Sequence, residues 1–519
     1  MPSGQGFTSL PYKNAKLPID ERVEDLLNRM TLAEKAGQMF HNMFMIGPGG
    51  SLLTEPNEAF GIPAVETLVG EKLMSHFNLV GLVTVARETA QWQNRMQERA
   101  KATRLGIPVT ISTDPRNHFT DNVGTGFQAG VLSQWPDSLG LAAIRSSELV
   151  ERFANVARQE YLALGIRLAL HPQIDLATEP RWARIGRTFG EDADLSSELV
   201  AAYIRGFQGP ELGPNSVSIM TKHFPGGGPE KDGEDSHFIW QRTNYSMPVD
   251  TEFEEVGFAF NKGIITGLLR ESLKFTGIVC TDWGLVTDAT ILGQNMPARA
   301  CGVEHLSGLD RVEKIIEAGC DQFGGESRPE LVIKLVEDGL ISEGRIDASV
   351  RLLLREKFTL GLFENPFVDV EAAASIVGKA DFREGDIALL RLKAPYEPRS
   401  GGFEAKFNAG SLEYSHEEKA RQAAIFKAVS TIVDIHLDRP AAIPEIATSA
   451  AALTSSYGSS GSAFLDVVFG RASPEGKLPF DLPSSMKAVE ESRSDMHYDT
   501  ENPVFCFGHG LSYPSKPVN

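Results

Sequence analysis

The strongest constraint on this chain is an alternation. Short apolar runs of β-favouring residues, each ending in polar or charged side chains, are separated by stretches of helical periodicity. The runs are IPVTIST (107–113), IRLALHPQID (166–175), VSIMTKHF (217–224) and GIVCTDWG (277–284). Between them lie helical stretches such as Glu148–Leu164 and Asp194–Phe207. Strands that alternate with helices in this way belong to a parallel sheet covered by its crossover helices. Charged residues at the C-terminal ends of the strands mark the functional face of a (β/α)8 barrel, although doubly wound sheets share the pattern. Leu17–Met39 reads as the approach to an amphipathic helix and the helix itself, and Arg345–Phe363 as one further helix.

That last helix stops at ENPFVDV, and Pro366 with the small residues after it reads as a linker over 366–385. Residues 1–365 therefore form a barrel-like catalytic domain, and 386–519 a second, smaller α/β domain. Its β-rich runs are Asp386–Pro395 and Thr431–Pro440, and Ala451–Gly461 ends in a Gly/Ser loop. No internal repeat or low-complexity tract interrupts the pattern.

Charge narrows the partners. With 50 Lys+Arg against 69 Asp+Glu the net charge is −19, which argues against nucleic acid or an anionic membrane as a binding surface. The 4 cysteines, Cys280, Cys301, Cys320 and Cys506, form no C-x-x-C pair, so neither a disulfide framework nor a structural zinc site is expected. MPSGQGFTSLPYKN carries no secretory pattern and no run is long and apolar enough to span a membrane, so a cytoplasmic protein is expected. Homo-oligomerisation is compatible with all of this.

Four stretches carry chemistry. GIVCTDWG delivers Asp282 at the end of an apolar strand, followed by Trp283. A carboxylate there serves as nucleophile or general base, and the indole as a platform for the apolar face of a sugar; the alternative is a helix cap. TKHFPGGG sets Lys222 beside His223 before a glycine run; Lys precedes the glycines, so this is not a Walker loop. Two donors at a barrel rim suit the hydroxyls of a polyol, although strand alternation alone would direct them to opposite faces. STDPR and EPRWARIGRTFGED supply Asp114, a carboxylate that can accept from two neighbouring hydroxyls, and Arg181, a planar donor fork; each is otherwise a salt-bridge partner. GGGPEKDGEDSHF holds Asp235 two residues before His237, the spacing of an acid/base dyad or of a hydrophilic surface loop.

Together these stretches resemble the family-3 glycoside hydrolases of the β-glucosidase type, along nearly the whole chain and in the family's order. RMTLAEKAGQM, STDPR, EPRWARIGRTFGED, KHFPGGG, GIVCTDWG and the segment from Arg328 to Pro366 match in the first domain. EGKLPFDLPSSM and FGHGLSYP match in the second. The resemblance implies a barrel followed by an α/β sandwich domain with the site at their junction, a retaining double displacement and no cofactor. It implies Asp282 as nucleophile, with Asp114, Arg181, Lys222 and His223 holding the sugar hydroxyls. The acid/base partner is expected to be Glu397 in APYEPR, with Glu404 and Glu413 as neighbouring alternatives. The N-acetylglucosaminidase branch would instead use Asp235 and His237. The expected activity is release of terminal β-D-glucosyl residues from glucosides or short oligosaccharides, with β-xylosidase or N-acetyl-β-hexosaminidase activity, or an inactive truncated relative, as rivals.

Two places look short against that pattern. Family members fit a strand and helix between the His-bearing loop and NKGIITGLLRE, where His237 and Asn261 lie close together; a barrel unit averages about 30 residues. The second domain likewise passes almost directly from SIVGKADFREG into its first strand. Both read as internal deletions, which would expose a sheet edge.

Overall fold

The apolar runs become strands where the sheet buries them, completely at Thr110–Thr113 and Ile166–Ala169 and partly at Cys280–Trp283. The computed structural model describes residues 10–81, 85–114, 117–118, 130–133, 135–228, 231–235, 254–291, 294–377, 389–399, 407–428 and 431–513. In the first domain the strands are β1 (Phe40–Phe44), β2 (His76–Leu79), β3 (Thr110–Thr113), β4 (Ile166–Ala169), β5 (Ser218–Ile219), β6 (Cys280–Trp283), β7 (Ala289–Ile291), β8 (Gln294–Met296) and β9 (Gln322–Gly324). Seven of them form one parallel sheet in the order β5-β4-β3-β2-β1-β9-β6. β1 pairs with both β2 and β9, through His41–His76 and Phe40–Phe323, so the first strand of the domain meets the last. That pairing is what closes a barrel. Among the described residues the ring lacks only a β5–β6 pairing, the position of an eighth strand. β7 and β8 form a separate antiparallel hairpin after β6.

β1, β2 and β9 are not foreshadowed by apolar runs, for a physical reason. FHNMF and HFNL put His41, His76 and Asn78 into the buried interior, where His41 Nε2 lies 2.8 Å from Ser112 Oγ on β3. Burial pushes the His41 imidazole down to about 3, so it stays neutral and hydrogen-bonded rather than charged. The stretch Leu17–Met39 divides into two helices, Ile19–Leu27 and Leu32–Gln38. Thr31 starts the second: Glu34 N donates to Thr31 Oγ1 (3.3 Å), and Thr31 N to Glu34 Oε2 (2.9 Å). This reciprocal cap is written in the sequence as Thr-Leu-Ala-Glu. The helix within Arg345–Phe363 runs from Glu343 to Thr359 and buries Lys357 at the N-terminal end of the sheet. Its Nζ meets Ser75 O (3.0 Å), Pro108 O (3.0 Å) and Thr110 Oγ1 (2.7 Å), while burial pushes its pKa well down.

In the second domain β10 (Leu389–Lys393), β11 (Ile432–His436) and β12 (Ala452–Ser456) form a parallel sheet in that order. Residues 366–377, the first half of the expected linker, lie against the first domain. Gln93 Nε2 donates to Pro366 O (2.7 Å), and Val368 N to Asn94 Oδ1 (2.9 Å). The two domains share a hydrophobic cluster. Leu139, Ala143, Ala177, Trp182 and Ile185 of the first pack with Val433, Ile435, Leu437, Tyr457 and Phe480 of the second. Backbone bonds cross the same boundary, from Asp137 N to Tyr457 O and from Lys477 N to Ala143 O (2.7 Å each). The second domain is thus held against the rim where the strands of the first end. No helix among the described residues is long and apolar enough to cross a membrane.

Candidate active site

Three carboxylates, Asp114, Asp175 and Asp282, stand at or beyond the C-terminal ends of β3, β4 and β6, each with a nitrogen side chain beside it. Asp114 directly follows β3 and is buried, and Lys222 Nζ donates to its Oδ2 (2.7 Å). Asp175 lies beyond β4, where His223 Nδ1 is 2.8 Å from its Oδ2 and Gly227 N donates to its Oδ1 (2.5 Å). Burial alone would raise the Asp175 carboxyl, but the charge and hydrogen bond of His223, with Arg184 and the Gly227 amide, bring it below the usual range. Lys222 and His223 therefore reach acceptors in the segments that follow two different strands, β3 and β4. Regular alternation ends with β5 at Ile219, and the backbone of Lys222 instead pairs with the segment after β4, through Lys222 N to Pro172 O (3.0 Å).

Asp282 and Trp283 close β6. Asp282 is partly exposed, and Arg299 Nη1 lies 3.0 Å from its Oδ2. Arg299 Nε also donates to Trp283 O (3.0 Å). The Trp283 ring rests edge-on against His41, with centroids 5.3 Å apart. Gly325 leaves room for that ring: at φ +69°, a Cβ there would lie 2.8 Å from Trp283 Cε3. The turn after Trp283 is held from β9 by Glu326, which accepts from Val286 N (2.9 Å), Thr287 N (3.0 Å) and Thr287 Oγ1 (2.6 Å).

The guanidinium among these carboxylates is that of Arg184. Its Nη2 donates to Gln173 Oε1 (3.2 Å), and its Nη1 lies 4.0 Å from Asp235 Oδ2. Burial opposes its charge, but the fields of Asp235, Asp175, Asp282 and Asp114 together raise its pKa above the ordinary value. Arg181 is spoken for elsewhere: its fork grips Glu179 through Nε to Oε1 and Nη2 to Oε2 (2.9 Å each), and Asp232 lies 3.6 Å away. Asp235 is fully buried and accepts from Trp182 Nε1 (2.7 Å). His237 and Glu404 lie outside the described residues.

Glu397 sits exposed on the second domain, with its backbone N–H donating to Ala409 O (2.8 Å). The same loop is tied to the first domain by Arg399, whose Nη1 donates to Glu234 Oε2 (2.8 Å), three residues beyond Lys231 in the loop after His223. Glu413 is braced instead by Met486 N (2.9 Å) and Lys419, which hold its carboxyl below the usual range. Sequence reasoning thus missed Arg184, Arg299, Asp175 and Glu326. Arg184 lies in the same motif as Arg181 and was recoverable from it; Arg299 had no local signal.

Matches to known proteins agree with this architecture. The model for "Glycosyl hydrolase family 3 N terminal domain" matches residues 31–258, and that for "Glycosyl hydrolase family 3 C-terminal domain" matches 369–513. The "Beta-glucosidase C" of Emericella nidulans is 53% identical over 97% of this chain and 94% of its own length. The "Probable beta-glucosidase C" of Aspergillus oryzae is 53% identical over 97% and 91%. A "Periplasmic beta-glucosidase/beta-xylosidase" of Dickeya chrysanthemi is 34% identical over 97% and 91%. The Aspergillus oryzae alignment spans 584 residues, more than the 519 of this chain, so that relative carries residues with no counterpart here. Among solved structures, a β-glucosidase from Erythrobacter marinus superposes with a TM-score of 0.75 at 18% identity, covering 97% of this chain and 84% of that one. An exo-1,3/1,4-β-glucanase from a Pseudoalteromonas species gives 0.70 at 19% identity, over 98% and 76%. At such identities the likeness is one of fold.

Proposed function

The chain belongs to glycosyl hydrolase family 3, and from that premise we propose that it is a retaining, exo-acting β-glucosidase that releases terminal β-D-glucosyl residues. One observation carries the reading. The paired groups Asp114–Lys222 and Asp175–His223 and the carboxylate of Asp282 share the field of one guanidinium, that of Arg184, at the C-terminal ends of their strands. Such pairs offer hydroxyl groups both acceptors and donors, fixed in place before the sugar arrives.

The chemistry runs in two displacements. An oxygen of Asp282 attacks the anomeric carbon while the bond to the leaving oxygen breaks, and Glu397 gives that oxygen its proton. Water then attacks the same carbon, Glu397 takes the water's proton, and the bond to Asp282 breaks. Retention asks for two carboxyl groups ~5–5.5 Å apart in the working enzyme. The tie from Arg399 to Glu234 supports this assignment, because it anchors the Glu397 loop on the rim that carries the other groups. Arg184 takes the place that the resemblance gave to Arg181, since the Arg181 fork is already occupied by Glu179.

The test is a 2-deoxy-2-fluoro-β-glucosyl inactivator followed by peptide mass spectrometry. A covalent adduct on Asp282 is expected. Turnover of β-glucosides with the label on another residue would overturn the assignment, and folded protein without turnover or adduct would favour an inactive relative. A β-xylosidase reading is favoured by the name of the Dickeya relative. It predicts that kcat/KM for an aryl β-xyloside equals or exceeds that for the glucoside. The hexosaminidase reading needs Asp235 to orient His237, whereas the Asp235 carboxylate is engaged by Trp182 and Arg184.

A further inference from the structure

The hairpin after β6 has a chemical consequence. β7 and β8 carry the chain away from the strand end and return it so that Arg299 meets the residue that β6 delivered. The return is fixed by backbone bonds. Ala298 N donates to Asp288 Oδ1 (2.8 Å) and Arg299 N to Gly284 O (2.9 Å). The guanidinium then spends Nε on Trp283 O and turns Nη1 to Asp282 Oδ2, 3.0 Å away. One side chain thus grips both the carboxylate and the backbone next to it.

We propose that Arg299 is the positioning residue of the nucleophile: it holds one oxygen of Asp282, turns the other toward the sugar, and favours the ionised form. The inference rests on the reading of Asp282 as nucleophile. Other charged groups face Asp282 as well. Arg184, from the segment after β4, adds a second positive field, and it feels the charges of Asp235, Asp175 and Asp114 as well as that of Asp282. Cys280 on the same strand is a thiol that burial and the neighbouring carboxylates keep protonated, and His41 beneath Trp283 is neutral. Removing Arg299 takes away the cation 3.0 Å from Asp282 Oδ2, a change that disfavours a carboxylate's charged form.

The ion pair also acts unequally on the two steps. When Asp282 bonds to the anomeric carbon and the leaving group departs with a proton from Glu397, the carboxylate becomes a neutral ester and Arg299 loses its counter-charge. When water attacks and the ester bond breaks, the electron pair returns to Asp282 and the charge facing Arg299 is restored. Arg299 therefore assists the second displacement, in which the carboxylate leaves.

The experiment compares Arg299→Gln and Arg299→Lys with wild type on an activated aryl β-glucoside over a pH series. For Arg299→Gln the acidic limb of kcat/KM should move up by about one pH unit, as expected when a carboxylate loses an adjacent cation. Its kcat should fall about tenfold or more and KM should fall with it, because the glycosyl-enzyme accumulates. Arg299→Lys should recover part of both, and millimolar guanidinium should restore part of the Arg299→Gln rate. An Arg299→Gln enzyme that is folded by its melting curve, with the acidic limb and KM unmoved, would overturn the proposal. That result is separable from failure of the β-glucosidase reading, which shows in wild type as the absence of an Asp282 adduct.

Discussion

At the scale of single residues, the site is a set of charges that would be costly apart and are inexpensive together. Asp114 is 1% exposed and Lys222 is the cation beside it, so removing either leaves the other poorly solvated. Asp114→Ala should lower kcat/KM about a hundredfold, the scale of losing a hydrogen bond to a charged group, and should also lower Tm by several degrees. Steady-state kinetics with a melting curve checks both, and an unchanged kcat/KM would remove Asp114 from the sugar site. Gly325 offers a second test. An alanine there must adopt φ +69° and push on Trp283, so Gly325→Ala should raise KM while costing about 1–2 kcal/mol in stability. Intrinsic tryptophan fluorescence reports whether the ring has moved.

At the scale of elements, the informative feature is the edge between β5 and β6. β2, β3 and β4 are buried at every position, whereas β6 is partly exposed at Cys280, Asp282 and Trp283. The helix Gly263–Ser272 and the turn leading to β6 leave Leu273 60% and Phe275 43% exposed. Among the described residues β6 pairs on one side only, and a strand held in that way opens at lower free energy than its neighbours. Amides of 268–283 should therefore exchange with deuterium well before those of β2–β4, and equal protection would contradict the unpaired edge. The exposed pair is also a hazard for association. Leu273→Lys should reduce self-association in sedimentation or light scattering and leave kcat/KM unchanged.

At the scale of the whole molecule, activity depends on how the domains are held, and one buried acid contributes to that. Glu191 accepts from Asp481 N (3.2 Å) and Tyr498 N (3.0 Å) of the second domain. Burial pushes its carboxyl up to about 7, with the Asp481 charge adding to the rise. A carboxyl raised on folding stabilises most fully at pH below its unfolded pKa, and the contribution is lost as pH rises through its folded value. Stability should accordingly decline between about pH 4.5 and 7 through this group. Glu191→Gln should flatten that part of the Tm–pH curve by several degrees across the range. A curve parallel to wild type would show that the junction does not titrate there.

Much of the fold was legible because its signals are local. An apolar run with a charged end declares a buried strand whose C-terminus is functional, whatever lies elsewhere, and β3, β4, β6, β10, β11 and β12 all fall within such runs. So do Lys222, His223 and Asp282, while Asp114 directly follows one, and the sequence sets all four at or just beyond strand ends before any partner is known. The strands with polar interiors, β1 and β2, were not legible, since His41, His76 and Asn78 are acceptable only inside a closed sheet, where burial keeps both imidazoles neutral and Ser112 meets His41 and Asn78. Pairing across the rim was hidden for the same reason. Lys222 finds Asp114 across 108 residues, and a hairpin must double back for Arg299 to meet Asp282. Sequence by itself determined which residues stand at the ends of strands, because alternation is a property of neighbours. Tertiary structure alone decided which charges face one another, because that depends on how the ring of strands closes and where the second domain is packed against it.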